Sequence, residues 1–206
     1  MSKFTYILDP GHGGLNSKGE YMTSGKRSPK WADGTIYYEG VGNRSIAKRV
    51  AEKLKVLGIK YAYTVTPTDP TDVGLTQRAA SANLLHAKTP AVLISIHSNA
   101  ATPSASGYEV FSSPGQNTSD EYATLWFAEM AKEFPNLKGR KDTSDGDPDK
   151  EEKFAILTQT KCPSFLIESM FYTNEVECKM LLDPKVEDRL ANVIVRTIQK
   201  IEEKIK

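Results

Sequence analysis

Short apolar runs alternate with longer segments of helical period along most of this chain, and this alternation constrains the fold more than any other feature. Runs rich in β-branched and aromatic residues predict six strands, at residues 4–8, 61–65, 91–97, 108–112, 155–158 and 164–167. Apolar spacing and helix-end signals predict five helices, at residues 40–57, 75–86, 120–134, 174–182 and 185–206. Strands that alternate with helices in this way are typical of an α/β fold whose sheet is mostly parallel.

The length of the chain and the pattern of its strands favour one domain. A chain of 206 residues can bury a hydrophobic core without help from disulfides or metals. Residues 91–96 and 164–167 are apolar nearly throughout, which is typical of strands covered on both faces. We therefore expect a single α/β domain over residues 1–206, with a twisted, mostly parallel sheet of about six strands and helices on both faces.

The charge balance and the hydropathy pattern exclude several kinds of partner. Lys and Arg total 27 against 26 Asp and Glu, a net charge of +1, so no nucleic-acid partner is expected. No apolar stretch reaches the roughly 18 residues of a membrane helix, so we expect no membrane insertion. Residues 1–9 lack the features of an export signal, which predicts synthesis in the cytoplasm. Cys162 and Cys178 are expected to be buried free thiols.

Ionisable residues follow or end three of the predicted strands. His12 lies in a Gly-rich turn after the first strand, His97 ends the third, and Glu168 follows the last. Either histidine taken alone is explained by a turn or a satisfied core position, but an unpaired buried carboxylate such as Glu168 is costly. Ligands of open parallel sheets bind outside the carboxyl ends of the strands. Together the three residues indicate a metal site at that edge.

A catalytic zinc ion needs a third protein ligand beside the two histidines. Such sites hold three N, O or S ligands and leave one position open, and no cysteine cluster is present to supply sulfur. Glu20 and Glu39 are the candidate carboxylates between the first two strands. We predict Glu39, because it begins a helix packed beside the sheet, whereas Glu20 lies in a Gly/Ser/Lys-rich loop.

Five stretches, in order along the chain, match the motifs of one enzyme family. They are residues 7–14 (ILDPGHGG), Glu39 with Asn43, residues 75–83, residues 95–100 (SIHSNA) and residues 166–174. On these motifs the sequence resembles the zinc-dependent N-acetylmuramoyl-L-alanine amidases of type 3, a family of cell-wall hydrolases. The resemblance implies an α/β domain and a zinc ion bound by His12, Glu39 and His97. It also implies that Glu168 acts beside the metal.

The resemblance also implies a substrate and a reaction. The partner would be peptidoglycan, and the bond cut would be the amide between N-acetylmuramic acid and the first L-alanine of the stem peptide. The residues agree, since zinc activates water and Glu168 would act as general base and then acid. We expect a monomer. The alternatives are another zinc peptidase or deacetylase acting on cell-wall material, and a wall-binding module without catalysis.

Two segments depart from the family pattern. Residues 16–38 are unusually long, and their aromatics Trp31, Tyr37 and Tyr38 could stack on substrate or fasten the loop. Residues 142–152 are acidic and look inserted. We expect both segments to influence which peptidoglycan is cut. The missing export signal suggests a phage or prophage lysin, or a catalytic domain of a longer protein, that reaches the wall through another factor.

Two further residues have structural and functional interpretations. Asp9 could orient His12, because metal-binding histidines usually donate their second N–H to a carboxylate or carbonyl. An Asx/Pro turn explains Asp9 equally well. Arg78, on the second predicted helix, is expected to tie that helix to the sheet.

Overall fold

Six strands and six helices make up the computed structural model, which describes residues 2–204. The strands are β1 (Thr5–Pro10), β2 (Tyr61–Tyr63), β3 (Ala91–Asn99), β4 (Tyr108–Ser112), β5 (Lys150–Glu151) and β6 (Ser164–Phe171). The helices are α1 (Glu39–Val56), α2 (Leu75–His86), α3 (Thr118–Glu133), α4 (Ala155–Thr158), α5 (Glu175–Leu181) and α6 (Pro184–Lys204). The predicted helix over 185–206 is observed to Lys204, and residues 205 and 206 lie outside the described residues.

The strands form one sheet in the order β2-β1-β3-β6-β4-β5. The pairs β1–β2, β1–β3, β3–β6 and β4–β5 are parallel, which confirms the mostly parallel sheet. Only the β4–β6 pair is antiparallel among the strands described. The consecutive neighbours β1, β3 and β6 therefore bring their carboxyl ends to the same edge.

Both faces of the sheet are covered by helices, as expected. Successive residues of a strand point to opposite faces, so Tyr6 and Leu8 pack with α1, α3 and α6 while Ile7 packs with α2 and α4. All six residues of β1 are buried. The last helix contributes the apolar stripe of Leu190, Ile194, Ile198 and Ile201 to the larger core cluster.

The strand predicted at residues 155–158 is wrong, because this segment is the short helix α4. A short apolar run has too few residues for its period to distinguish a strand from one helical turn. Here Ile156 and Leu157 are consecutive and both buried in the core cluster shared with α2. The outer position of the sheet is taken instead by β5, which pairs with Phe111 and Ser112 of β4.

The aromatic residues of segment 16–38 fasten it to the body of the protein. Trp31 Nε1 donates to Cys178 Sγ at 3.1 Å, and Tyr37 Oη lies 3.0 Å from Ser98 Oγ. Tyr37 is buried, and its ring lies 5.9 Å from that of Tyr172. Packing, rather than a stacking wall for substrate, therefore accounts for Trp31 and Tyr37.

Cys162 and Cys178 are buried free thiols, as expected. Among the helices of residues 2–204, none combines the length and apolar character needed to cross a bilayer.

Candidate metal centre and catalytic cleft

The sheet brings the three predicted strand-end residues to one edge. His97 and Glu168 are register partners on the neighbouring strands β3 and β6. His12 lies two residues beyond the end of β1, on the other side of β3. Strands β3 and β6 run further than the sequence suggests. His97 and Glu168 therefore lie inside these strands, near their carboxyl ends.

Glu39, the first residue of α1, completes a compact group with the two histidines. Its Oε1 lies 3.2 Å from His12 Nε2 and 3.0 Å from His97 Nδ1. The three possible ligand atoms all lie within 4.8 Å of one another. The rings of His12 and His97 meet edge to face, with centroids 5.0 Å apart. Glu20, the alternative carboxylate, instead accepts a hydrogen bond from Asn16 on the exposed loop.

Burial and mutual attraction set the protonation of this group. Burial acts to raise the pKa of Glu39, but hydrogen bonds from His12 and His97 lower it to about 2. Burial acts to lower the pKa of His97, but the hydrogen bond and charge of Glu39 raise it. The Glu39 carboxylate is therefore ionised, and one of its oxygens lies beside a ring nitrogen of each histidine. Two imidazole nitrogens and a carboxylate oxygen are ligands of the type that zinc takes from proteins.

Glu168, on the neighbouring strand, has a buried carboxylate oxygen, Oε2, without a hydrogen-bond partner among the described residues. Burial raises the pKa of Glu168 to about 8, the charge of His97 opposes this, and Glu39 adds to it. A buried carboxyl group without a partner is costly to maintain. Glu168 is therefore available to a substrate, a water molecule or a cation in the cleft.

The turn that carries His12 is held by two buried arginines. His12 has a φ of 64°, a left-handed conformation that is uncommon for a residue with a side chain. Its carbonyl oxygen accepts hydrogen bonds from Arg44 Nη1 at 2.6 Å and Arg78 Nη2 at 2.9 Å. Arg78 also pairs with Asp9 at 2.9 Å, so it does tie α2 to the sheet. Asp9 accepts further bonds from Ser95 and Thr64, and thereby supports the strand end.

Two glycines allow the elements of the site to approach closely. A Cβ atom at Gly11 would lie 2.1 Å from His97 Cε1, and one at Gly40 would lie 1.9 Å from the carbonyl oxygen of Gly13. Gly11 therefore leaves room for the His97 ring. Gly40 lets the first turn of α1, and with it Glu39, pack onto the His12 turn.

The histidines and Glu168 open into a cleft of about 320 Å³. Lys26 reaches it from segment 16–38, Tyr172 follows β6, and Phe154 and Ile156 border it around α4. Lys26 belongs to segment 16–38, and Phe154 and Ile156 follow segment 142–152 in the chain. Both segments that depart from the family pattern therefore lie at the cleft or next to residues that line it. This position is consistent with the expectation that both segments influence which peptidoglycan is cut.

Neither Lys26 nor Arg44 was singled out from the sequence. Lys26 is one of several basic residues in a polar loop, and nothing in its spacing distinguishes it. Arg44 follows Gly40 by four residues on α1, but this spacing alone does not indicate where its side chain points. In the structure the two residues share a helix face, and Arg44 lies at the end of α1 that meets the His12 turn.

The carboxyl edge of this α/β sheet carries a His–Glu–His group and an unpaired buried carboxyl group. These are the types of residue that metal-dependent hydrolases use. Comparison with known proteins narrows the class. The family described as N-acetylmuramoyl-L-alanine amidase matches residues 7–200. The chain therefore belongs to the N-acetylmuramoyl-L-alanine amidase family, whose members hydrolyse the amide between N-acetylmuramic acid and L-alanine in peptidoglycan.

Several known proteins are similar to this chain over most of its length. A crystal structure of N-acetylmuramoyl-L-alanine amidase from Clostridium difficile 630 is 28% identical, with a TM-score of 0.78 and 100% coverage of both chains. The protein YqiI of Bacillus subtilis strain 168 is 27% identical over 195 residues, 94% of this chain and 82% of YqiI. The endolysin of Bacillus phage SPP1 is 28% identical over 188 residues, 88% of this chain but 59% of the endolysin.

Proposed function

We propose that this amidase is zinc-dependent, with His12, Glu39 and His97 as the metal ligands and Glu168 as the general base. The observation that carries the proposal is the position of one Glu39 oxygen, 3.2 Å from His12 Nε2 and 3.0 Å from His97 Nδ1. Glu168 faces the same cleft from the neighbouring strand.

The residues fit zinc in type and in number. Two imidazole nitrogens and one carboxylate oxygen are the ligands of many catalytic zinc sites, which leave a fourth position open. The ligands come from the His12 turn, the first turn of α1 and β3, three elements that pack on one another. A zinc ion bound there would supply Lewis acidity to the scissile carbonyl group and to a water molecule.

Glu168 supplies the proton transfers of the reaction. Burial raises its pKa to about 8 without a bound cation, and a nearby positive charge would lower that pKa. The carboxylate form accepts a proton from the attacking water, and the acid form then donates it to the nitrogen of the leaving L-alanine. The carbonyl group retained by the muramic acid becomes its lactyl carboxylate. General acid–base catalysis of this kind contributes roughly 10²–10⁴-fold to rate.

The biological role we propose is that of a lysin of phage or prophage origin, which acts on the cell wall after release or export by another factor. The similarity to the phage SPP1 endolysin supports this role, and the chain corresponds to 59% of that protein's length. We further propose that residues 1–206 act as one monomeric catalytic domain with peptidoglycan as its substrate. A zinc peptidase or deacetylase activity would not fit the family assignment.

Two substitutions separate the proposed metal ligands from the proposed base. Glu168→Gln should retain stoichiometric zinc but lose at least ~10²-fold in turnover, because the isosteric amide cannot exchange the proton. Glu39→Ala should lose zinc, since it removes one of three ligands. Glu20→Ala is the matched control: it deletes a carboxylate of the neighbouring exposed loop and should leave zinc and turnover unchanged. Metal analysis and release of muropeptides from purified walls measure both quantities.

Mass spectrometry of the released muropeptides tests the reaction itself. Free L-alanine amino termini are expected, and released acetate or D-amino acids would contradict the amidase assignment. Wild-type turnover in Glu168→Gln would contradict the role of Glu168. Full zinc content in Glu39→Ala would restore another carboxylate as a candidate ligand.

A further inference from the structure

Lys26 is the one lysine or arginine among the described residues that line the cleft. Its side chain is exposed, and within residues 2–204 no carboxylate forms an ion pair with it. An ammonium group has three N–H donors and no acceptor, so an anion is its natural partner. Burial raises the pKa of Glu168, whereas the charge of Lys26 is among the influences that lower it, as expected for an ammonium group that faces the cleft. Lys26 therefore offers a positive charge to a ligand in the cleft.

Backbone hydrogen bonds hold Lys26 beside Glu39, a proposed metal ligand. The carbonyl oxygen of Lys26 accepts a hydrogen bond from Glu39 N at 3.0 Å. Residues 26–28 run antiparallel to residues 37–39 through a short ladder of such bonds. The flexible part of Lys26 is therefore only its four-carbon side chain. Its ammonium group stays within one side-chain length of the start of α1, although the side chain is exposed.

The other side of the cleft is apolar. Leu75, at the start of α2, and Phe154, just before α4, line it and are 49% and 38% exposed, and Ile156 adds to the same surface. Helices α2 and α4 pack on one face of the sheet, whereas α1, to which Lys26 is bonded, packs on the other. An anionic group has no partner on the apolar side, and leaving a charge unpaired there is costly. The charged part of a substrate is therefore expected on the Lys26 side.

The stem peptide supplies an anionic group at a suitable distance from the scissile amide. The bond cut by this family joins muramic acid to L-alanine, whose methyl side chain carries no charge. The first carboxylate that can follow is therefore on the next residue of the peptide. One residue of extended chain spans about 3.3–3.6 Å, so this carboxylate lies close to the reacting bond. The proposed ligand Glu39, at which the bond would be cut, is also where the Lys26 side chain begins.

We propose that Lys26 is a specificity-determining residue that binds a carboxylate on the stem-peptide residue after L-alanine. This inference rests on the proposed function, since it takes the cleft of Glu39 and Glu168 as the place where the amide is cut. A carboxamide at the same position accepts a hydrogen bond but forms no ion pair. The enzyme therefore prefers stem peptides with a free acid to those amidated at this residue, and segment 16–38 takes a specific part in the choice of peptidoglycan.

The test uses two synthetic N-acetylmuramoyl peptides that differ only in a carboxylate or a carboxamide on the residue after L-alanine. For the wild-type chain we expect kcat/KM to be about fivefold higher for the carboxylate, the scale of a partly exposed ion pair. The difference should lie mainly in KM, because the ion pair is made in both the ground state and the transition state. It should shrink at about 0.5 M salt, where charges are screened. Chromatography of the released peptides measures both rates.

Three variants assign the preference to one side chain. Lys26→Met keeps an unbranched side chain without the charge, and its ratio of kcat/KM values should fall to about one. Lys26→Arg keeps the charge and should keep the preference. Lys18→Met is the matched control, since Lys18 is exposed on the same segment but does not line the cleft, and its ratio should equal that of wild type. Poor folding or zinc loss lowers both rates of a variant equally and leaves its ratio unchanged.

Several results would overturn the role of Lys26. Equal kcat/KM values for the two peptides in the wild-type chain, or a preference for the carboxamide, would contradict it without any variant. A preference that persists in Lys26→Met would place the carboxylate at another residue. These outcomes leave the proposed function intact. Release of products without a free L-alanine amino terminus from both peptides would instead contradict the proposed function, and the role of Lys26 with it.

Discussion

At the scale of single residues, the candidate site depends on a glycine as much as on its ligands. Gly11 lies under the His97 ring, where an added Cβ would meet three ring atoms at 2.1, 2.3 and 2.6 Å. Contacts below 3 Å require movement, and the backbone of β1, which leads into Gly11, is hydrogen-bonded to β2 on one side and to β3 on the other. The ring is therefore the part that would move, and it carries a proposed zinc ligand.

We accordingly predict that Gly11→Ala lowers zinc affinity at least tenfold and reduces turnover with it. The stability of the metal-free fold should fall by about 1–3 kcal/mol, the usual cost of overpacking a well-packed site. Gly74→Ala is the control, because Gly74 has open space around its Cβ position and an ordinary φ of −63°. Zinc titration and chemical denaturation measure the two effects. Wild-type zinc affinity in Gly11→Ala would show that the ring tolerates displacement.

The ability to predict these residues from sequence depends on whether the backbone alone positions them. His97 and Glu168 follow apolar runs, so the topology of a parallel sheet brings them together whatever their side chains do. The prediction of Glu39 as a ligand depended in addition on its position at the start of a helix and on a family motif. Lys26 and Arg44 reach the site through side-chain direction and loop path, which no local pattern encodes.

At the scale of elements, helix α5 supports the end of the strand that carries Glu168. Its Glu177 accepts hydrogen bonds at 2.7 Å from the backbone N–H groups of Gly107 and Phe171. Just before Phe171, Met170 has a φ of 67°, a conformation rare for such a side chain. Asn174 caps α5 by accepting from Val176 N and Glu177 N. The cap therefore fixes the helix that holds the irregular end of β6.

Loss of the Asn174 cap should lower the stability of the protein measurably. We predict that Asn174→Ala lowers the free energy of unfolding by about 1 kcal/mol, the typical value of an N-cap. For a chain of this size the Tm should fall by about 2–4 °C. The control is Asn192→Ala in the interior of α6, where alanine is the better helix former, and no loss of stability is expected. An equal loss in both variants would mean that the α5 cap contributes nothing specific.

Elements were predictable where their period was long enough to be unambiguous. α2 begins and ends at the residues expected, and β4 also has the expected bounds. The prediction of a strand at residues 155–158 is wrong because a run of four residues is too short for its period to distinguish one helical turn from a strand. β5 has only two residues, in a charged segment, so no hydrophobic pattern marks it. The antiparallel β4–β6 pairing is a long-range contact that neither strand's own sequence specifies.

At the scale of the whole molecule, a charged network joins two helices on the face of the sheet covered by α1, α3 and α6. Glu129 of α3 accepts from Arg196 Nε of α6 at 2.8 Å and from Lys132 Nζ at 3.0 Å, and it also bonds to Lys200. The Glu129 side chain is 4% exposed, whereas that of Arg196 is 37% exposed. A buried carboxylate thus holds partly exposed cations, a geometry that favours its ionised form in the folded state.

This network predicts a specific dependence of stability on pH. Burial acts to raise the pKa of Glu129, but hydrogen bonds from Lys200, Arg196 and Lys132 lower it from 4.5 to about 2. Because the folded pKa lies below the unfolded one, its stabilisation is complete above about pH 5 and is lost as the pH falls towards 2. Solvent screening of the exposed partners limits this contribution to about 1–2 kcal/mol.

Comparison of variants isolates this contribution from that of other carboxylates, including Glu39. We expect Glu129→Gln to be less stable than wild type by about 1–2 kcal/mol at pH 7, with the difference shrinking steadily between pH 5 and pH 2. Glu121→Gln is the control, because Glu121 is 61% exposed and pairs with Lys204 at the surface. Its difference from wild type should stay near zero throughout. Urea unfolding at each pH measures both differences, and a Glu129→Gln difference independent of pH would mean that packing, rather than charge, joins α3 to α6.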